Sequence, residues 1–227
     1  GDVYKRQDYN HAKGDSDIDN LRKEKKYLEI MAKMRLDSDY LYILQQAEGY
    51  NRTETKPICY NESVTDTLPR FTYMNPNDSN LVQLRKHFNL DSIAGSGDEI
   101  SKIKNLLYWV HNIVPHDGNS RNPEERNTIA MVELCKKENR GVNCRMMAQM
   151  LNECYLAMGF KSRFITCMPK VMINDCHVIN AVYSNTLDKW LWMDPTFNAY
   201  VTDEKGNLLG IGEVRERLRN NQPVVLN

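Results

Sequence analysis

Three side chains in the second half of the chain are of the types that nucleophilic acyl chemistry requires: Cys144, His177 and Asp194. A thiol attacks a carbonyl only as a thiolate, and an imidazole held by a carboxylate is the usual base that makes one. Cys144 follows Asn143, a helix-capping residue type, and opens a segment in which Met147, Ala148, Leu151, Cys154, Tyr155 and Met158 recur at helical spacing until Gly159 ends it. Unpaired N–H groups at the amino end of such a helix favour a thiolate and can hold the oxyanion of a tetrahedral intermediate. Position alone is ambiguous, because Cys144 also lies on the apolar stripe and would serve as plain core.

His177 and Asp194 weigh against the core reading. If Tyr183 and Asp188 close a hairpin around Ser184–Leu187, His177 falls directly opposite Asp194, with Ile179 opposite Trp192 and Ala181 opposite Trp190. Directly opposed residues have Cβ atoms ~4.5–5.5 Å apart, within reach of a carboxylate–imidazole hydrogen bond. Each residue alone has a bland explanation, since Asp194 before Pro195 is also an ordinary strand-end turn signal. A nucleophile at a helix start together with a paired His and Asp on a hairpin is harder to dismiss.

The elements that must position these groups follow from periodicity. Between Asp17 and about Tyr50 the apolar residues recur at helical spacing, giving one or two amphipathic helices with Lys23–Lys26 on the solvated face. Thr55–Asn80 is rich in Pro and Asn and reads as loop with short extended pieces. Leu81–Phe88 is a short helix, Ser92–Gly97 a linker, and Asp98 the cap of a helix over Ile100–Ile113. After the helix that begins at Cys144 come three strands, Arg163–Met168, Val178–Tyr183 and Trp190–Met193. Helices followed by antiparallel strands make the class α+β.

Three blocks now carry a resemblance. GVNCRMMAQMLNECYLAMGF (141–160), DCHVINAVY (175–183) and KWLWMDPT (189–196) resemble the signature blocks of the transglutaminase-like superfamily of papain-like cysteine enzymes. KIKNLLYWVHNIVPHDG (102–118) resembles the helix that precedes them, so the likeness covers roughly Asp98 to Tyr200. The resemblance implies a Cys–His–Asp triad of Cys144, His177 and Asp194, and a helix bearing the cysteine packed on an antiparallel sheet. It implies an acyl-enzyme mechanism on amide bonds of a peptide or protein, with no cofactor and no metal. Many members place an aromatic residue soon after the histidine, where this chain has Val178 and Ile179. Asn143 and His116 are candidates to assist the oxyanion, and Trp190 and Trp192 to line the substrate groove. Arg145 either helps to hold a thiolate or simply points to solvent. An enzyme that transfers an acyl group to an amine must exclude water, whereas Asn143, Arg145, Asp175 and Asn180 set polar groups around the two tryptophans. The expectation is therefore a cysteine-dependent peptidase or amidase, with protein-glutamine amine transfer as the alternative. A non-catalytic binding or scaffold module is the alternative from another class.

Composition excludes several other functions. Thirty Lys+Arg balance thirty Asp+Glu in 227 residues, leaving no bulk charge to recruit nucleic acid or an anionic membrane. The longest apolar runs, Tyr40–Leu44 and Ile103–Val110, fall far short of the ~20 residues that span a bilayer. Six scattered cysteines without a C-x-x-C make neither a disulfide scaffold nor a structural zinc site. GDVYKRQ at residues 1–7 resembles an in-frame translated sequencing adapter, as in a metagenomic fragment whose true start is missing and whose end stops early. The compartment is then open, extracytoplasmic included, and so is the oligomeric state. The organisation expected is an adapter over 1–7, a mainly helical region over 8–95 and a catalytic domain over 96–227.

Overall fold

The computed structural model describes residues 9–38, 71–168 and 176–227. The adapter-like residues 1–7, the helical pattern beyond residue 38, the loop expected before residue 71 and Asp175 lie outside the described residues. The chain divides into two compact units, one of residues 1–57 with 218–220 and one of residues 58–217 with 221–227. The boundary expected at 95/96 falls inside the second unit.

In the first unit, helix α1 (Tyr9–Gly14) leads through a 3-10 helix (Ser16–Leu21) to helix α2 (Lys25–Ser38). Asp15 caps the 3-10 turn by accepting from the Asp17 N–H at 3.0 Å. Lys23–Lys26 are all exposed, as a solvated face requires.

The second unit packs helices α3 (Ser79–His87), α4 (Leu90–Ala94), α5 (Glu99–Ile113), α6 (Thr128–Glu138) and α7 (Cys144–Ala157) beside an antiparallel sheet. The sheet runs in chain order β1 (Ser162–Cys167), β2 (His177–Ser184), β3 (Lys189–Asp194), β4 (Ala199–Thr202) and β5 (Val225–Leu226), with helix α8 (Ile211–Arg219) before the last strand. The class is α+β, and the helix bearing Cys144 packs on β1 and β2. One core joins Leu81, Leu84, Leu90 and Ala94 to Ile103, Leu106, Met147, Leu151, Val182 and Leu191. The linker expected at Ser92–Gly97 is thus corrected: Leu90 and Ala94 are fully buried, α4 runs through Ser92–Ala94, and the break comes at Gly95, whose φ of 77° ends the helix. Helix α6 and strands β4 and β5 had no counterpart in the sequence reading.

The hairpin register also differs from expectation. Ser184 pairs with Lys189, Tyr183 with Trp190, Ala181 with Trp192 and Asn180 with Met193. The turn takes in Asp188, whose φ of 51° is one that aspartate tolerates, and the Ser184 hydroxyl accepts from the Leu187 N–H at 3.0 Å. The shift is two residues, so every side chain keeps its expected face while its partner changes. Glu99, at the start of α5, accepts from Ser184 Oγ at 2.6 Å and from the N–H groups of Asn185 and Thr186 at 3.0 and 2.9 Å, fastening this turn to the helical layer.

Candidate active site

Cys144 is the first residue of α7, and the local sequence accounts for it. The Asn143 carboxamide oxygen accepts from the Met146 N–H at 3.2 Å and stops the helix from extending backward, while its Nδ2 donates to Asn122 at 2.6 Å. With both ends of that amide engaged, oxyanion donors at this helix start are backbone N–H groups. The Cys144 thiol is half-buried and donates to the carbonyl of Cys176, with Sγ 3.9 Å from the oxygen. The sulfur therefore rests against the peptide unit that joins Cys176 to His177, and its hydrogen bond goes to that carbonyl instead of the imidazole.

His177 opens β2 and Asp194 closes β3. With the two-residue shift they are diagonal neighbours on one face, and the side chains span the gap: His177 Nε2 lies 2.7 Å from Asp194 Oδ2. Asp194 is 3% exposed, and its other oxygen accepts from the Thr196 N–H at 2.9 Å. The turn is held from the helical layer, since His111 Nδ1 donates to the Pro195 carbonyl at 3.0 Å. A buried carboxylate with two donors fixes the imidazole so that Nε2–H points at Asp194 and Nδ1 is the free basic nitrogen. The Phe197 ring lies 5.5 Å from the His177 ring. Val178 and Ile179 are buried at 0% and 2%, so the aromatic neighbour of the histidine comes from the turn after Asp194, a residue the sequence reading passed over.

His116 reaches the same region. Pro115–Asp117 runs beside Gly141–Val142, with Val142 N–H donating to the Pro115 carbonyl at 3.0 Å and Asp117 N–H to the Val142 carbonyl at 2.9 Å. Gly141 is needed for that approach, because a Cβ there would meet the Pro115 oxygen at 2.5 Å. The loop bearing His116 is in this way tied to the segment entering the Cys144 helix. Desolvation first, then the neighbouring His177, hold His116 below its ordinary histidine value against the opposing pull of Asp117 and Asp194.

The remaining candidates separate. Trp192 is half-buried two residues from Asp194, and its Nε1 is buried without a partner. Trp190 stands ~13 Å along the strand from Asp194, in contact with Tyr73, Tyr183 and the Arg163 guanidinium, 4.6 Å from its ring. Arg145 donates to Thr166 Oγ1 at 3.3 Å. Asn180 does not line this site: it is fully buried on the opposite face, donating to the Ala148 carbonyl at 2.9 Å. A cavity of about 440 Å³ between α3, α6 and α7 is lined by Leu81, Thr128 and Glu153 and lies at the far end of α7 from Cys144. Among the described residues no group of His, Cys, Asp and Glu is arranged to hold a metal. No described helix is long and apolar enough to cross a membrane.

Comparison with known families matches residues 86–195 to the model of the Transglutaminase-like superfamily. No curated protein matches this sequence. Among solved structures, a candidate cysteine protease from Cytophaga hutchinsonii is similar at 16% identity and a TM-score of 0.41. The similarity covers 64% of this chain and 48% of that one.

Proposed function

We propose, from the match of residues 86–195 to the Transglutaminase-like superfamily, that this chain is a cysteine-dependent amide-bond hydrolase, a peptidase or amidase, working through Cys144, His177 and Asp194. The observation that supports this best is the 2.7 Å contact of His177 with a buried, doubly bonded Asp194, at the strand end on which the Cys144 thiol rests. In this reading the thiol turns from the Cys176 carbonyl and gives its proton to His177 Nδ1, and the sulfur adds to the substrate carbonyl. Rotation of that kind is a small step, since catalytic hydrogen bonds are often loose in the free enzyme. Backbone N–H groups at the start of α7 receive the oxyanion, and a neutral His116 adds a donor from the side. The imidazolium then protonates the leaving amine. Water attacks the thioester, with His177 taking its proton and returning it to sulfur as the acid departs. Asp194 holds the ring throughout, and Trp192 shields the His–Asp pair.

Amine transfer is the competing outcome of the same acyl-enzyme, and the polar chain neighbours of Cys144, Asn143 and Arg145, with Asn122 bonded to Asn143, favour water over a dry acceptor channel. The test is a peptide library, glutamine-containing members included, incubated with and without excess primary amine, with Cys144→Ala as the blank. Cys144-dependent hydrolysis that outruns amine incorporation is expected. Incorporation in excess would make the protein a transferase, and no Cys144-dependent reaction of either kind would make it a binding module.

A further inference from the structure

Three cysteines, not one, gather at this strand end. Cys167 is the register partner of His177, and Cys176 is its chain neighbour, with the Cys176 carbonyl against Cys144 Sγ. All three are free thiols. The proposed hydrolysis uses only Cys144. We propose that Cys144 and Cys176 form a reversible disulfide when Cys144 is oxidised by a hydroperoxide, a modification site that switches the enzyme off and protects the nucleophile. The switch, though not the bond, rests on the reading of Cys144 as the nucleophile.

Geometry selects Cys176 over Cys167. Side chains alternate across a strand, and on β2 the Asn180 amide reaches the Ala148 carbonyl of α7. Even-numbered positions of this strand therefore face α7. At the same end, Arg145 of α7 bonds Thr166, the partner of Val178. One alternation further back, Cys176 falls on the α7 side, where Cys144 begins and its sulfur already touches the Cys176 main chain, whereas Cys167 lies exposed on the neighbouring strand. A disulfide needs Cβ atoms ~3.8 Å apart. Cys144 Sγ already stands 3.9 Å from the carbonyl oxygen of Cys176, so the two residues are neighbours, and the bond requires side-chain rotation with a main-chain shift at Cys176. Cys176 precedes the first residue of β2 and has no ladder hydrogen bonds to break.

The chemistry balances in two steps. The Cys144 sulfur attacks the terminal oxygen of the hydroperoxide; the S–O bond forms as the O–O bond breaks, the other oxygen leaves as an alcohol or water with the thiol proton, and the sulfur, now a sulfenic acid, has lost the two electrons that the peroxide gained. The Cys176 sulfur then displaces hydroxide from the sulfenic sulfur, and that hydroxide leaves as water with the Cys176 proton. A dithiol reductant reverses the bond by exchange.

The experiment treats the whole chain with hydrogen peroxide in several-fold excess over thiol, blocks free thiols by alkylation and maps unreduced peptides by mass. The expected product is a peptide pair linked through Cys144 and Cys176, lost on dithiothreitol treatment with full recovery of Cys144 alkylation. Cys176→Ser and Cys176→Ala should both lose the linked pair entirely and carry sulfinic acid at Cys144 that dithiothreitol does not remove. Cys167→Ser should keep the pair. A Cys144–Cys167, Cys167–Cys176 or Cys59 linkage as the main product, or sulfinic acid at Cys144 in the unmutated chain, would overturn the proposal. Because the readout is a covalent bond and needs no turnover, failure of the hydrolase reading shows separately, as absent Cys144-dependent hydrolysis.

Discussion

Asp194 is the residue on which the candidate site turns, because it converts a half-exposed histidine into one of fixed orientation. Its carboxylate accepts from the ring on one oxygen and from Thr196 on the other, so replacing it with asparagine puts an N–H₂ against one of two donors. The ring then flips or binds the wrong tautomer. Asp194→Asn should cut kcat for Cys144-dependent hydrolysis by about 10³–10⁴-fold with the fold intact, in line with the loss when a triad aspartate is so changed. Steady-state kinetics beside a circular dichroism melt measure both. An unchanged kcat would remove Asp194 from the mechanism. At this scale much of the site was legible in sequence, because nucleophile, base and carboxylate types at a helix start and on a hairpin leave few other uses. Phe197, Thr196 and the pair Cys167 and Cys176 were not legible, since their relation to the site depends on how a turn folds back and on which strand lies beside β2.

Between elements, two attachments set the site. Glu99 fastens the β2–β3 turn to α5; partial burial pushes its carboxyl up, but hydrogen bonds from Ser184, Thr186 and Asn185 outweigh this and hold it at about 2. A folded value below the unfolded 4.5 means the stabilisation is complete above about pH 4.5 and is lost as pH falls toward 2. Glu99→Gln should therefore lower Tm most at neutral pH, and the gap from the unmutated chain should narrow as pH drops from about 5 toward 2. Melting curves across that window test it, and a gap that stays constant would mean the carboxylate charge is not what fastens the turn. Gly141 is the second attachment. Gly141→Ala drives a Cβ to 2.5 Å from the Pro115 oxygen, so the segment leading into the Cys144 helix and the loop carrying His116 must part. Overpacking of this kind costs about 1–3 kcal/mol, and hydrolysis should fall about 10–100-fold through misplacement of the oxyanion donors. Gly212→Ala, whose added Cβ meets nothing within 4 Å, is the control. Equal activity in the two variants would show that the His116 loop is a bystander. The hairpin register was misread for a reason at this scale: Asp188 can enter the left-handed region and join the turn, and a preference of that kind is invisible to strand pairing counted from the sequence.

Across the whole second unit, the family match ends at residue 195, yet the sheet does not. Asp194 pairs with Ala199, β4 carries Val201 opposite Leu226 and Thr202 opposite Val225, and Asn227 bonds both the main chain of Tyr200 and the Asn198 carbonyl. Strands as short as β4 and β5 give no periodic signal, and the apolar ending QPVVLN reads in sequence only as an extended stretch. In the fold these residues close the edge of the sheet beside the strand that ends on Asp194. Val201 and Val224 are 1% and 6% exposed, so removing residues 221–227 uncovers apolar surface and frees the outer edge of β4. Uncovering Val201 and losing the burial of the deleted Val224, at about 1.5–3 kcal/mol each, sets a loss of roughly 3–6 kcal/mol as the upper bound, with fraying of β4 absorbing part of it. The truncated chain should melt lower. Because β4 is the outer neighbour of Asp194, its hydrolysis should also fall at temperatures well below its own melt. Hydrogen exchange supplies the decisive comparison: faster exchange at Ala199–Thr202 and at Thr196, with α5 and α7 still protected, is expected. Uniform protection with unchanged turnover would show that the edge strand is dispensable and that the domain's working limit lies at the family boundary.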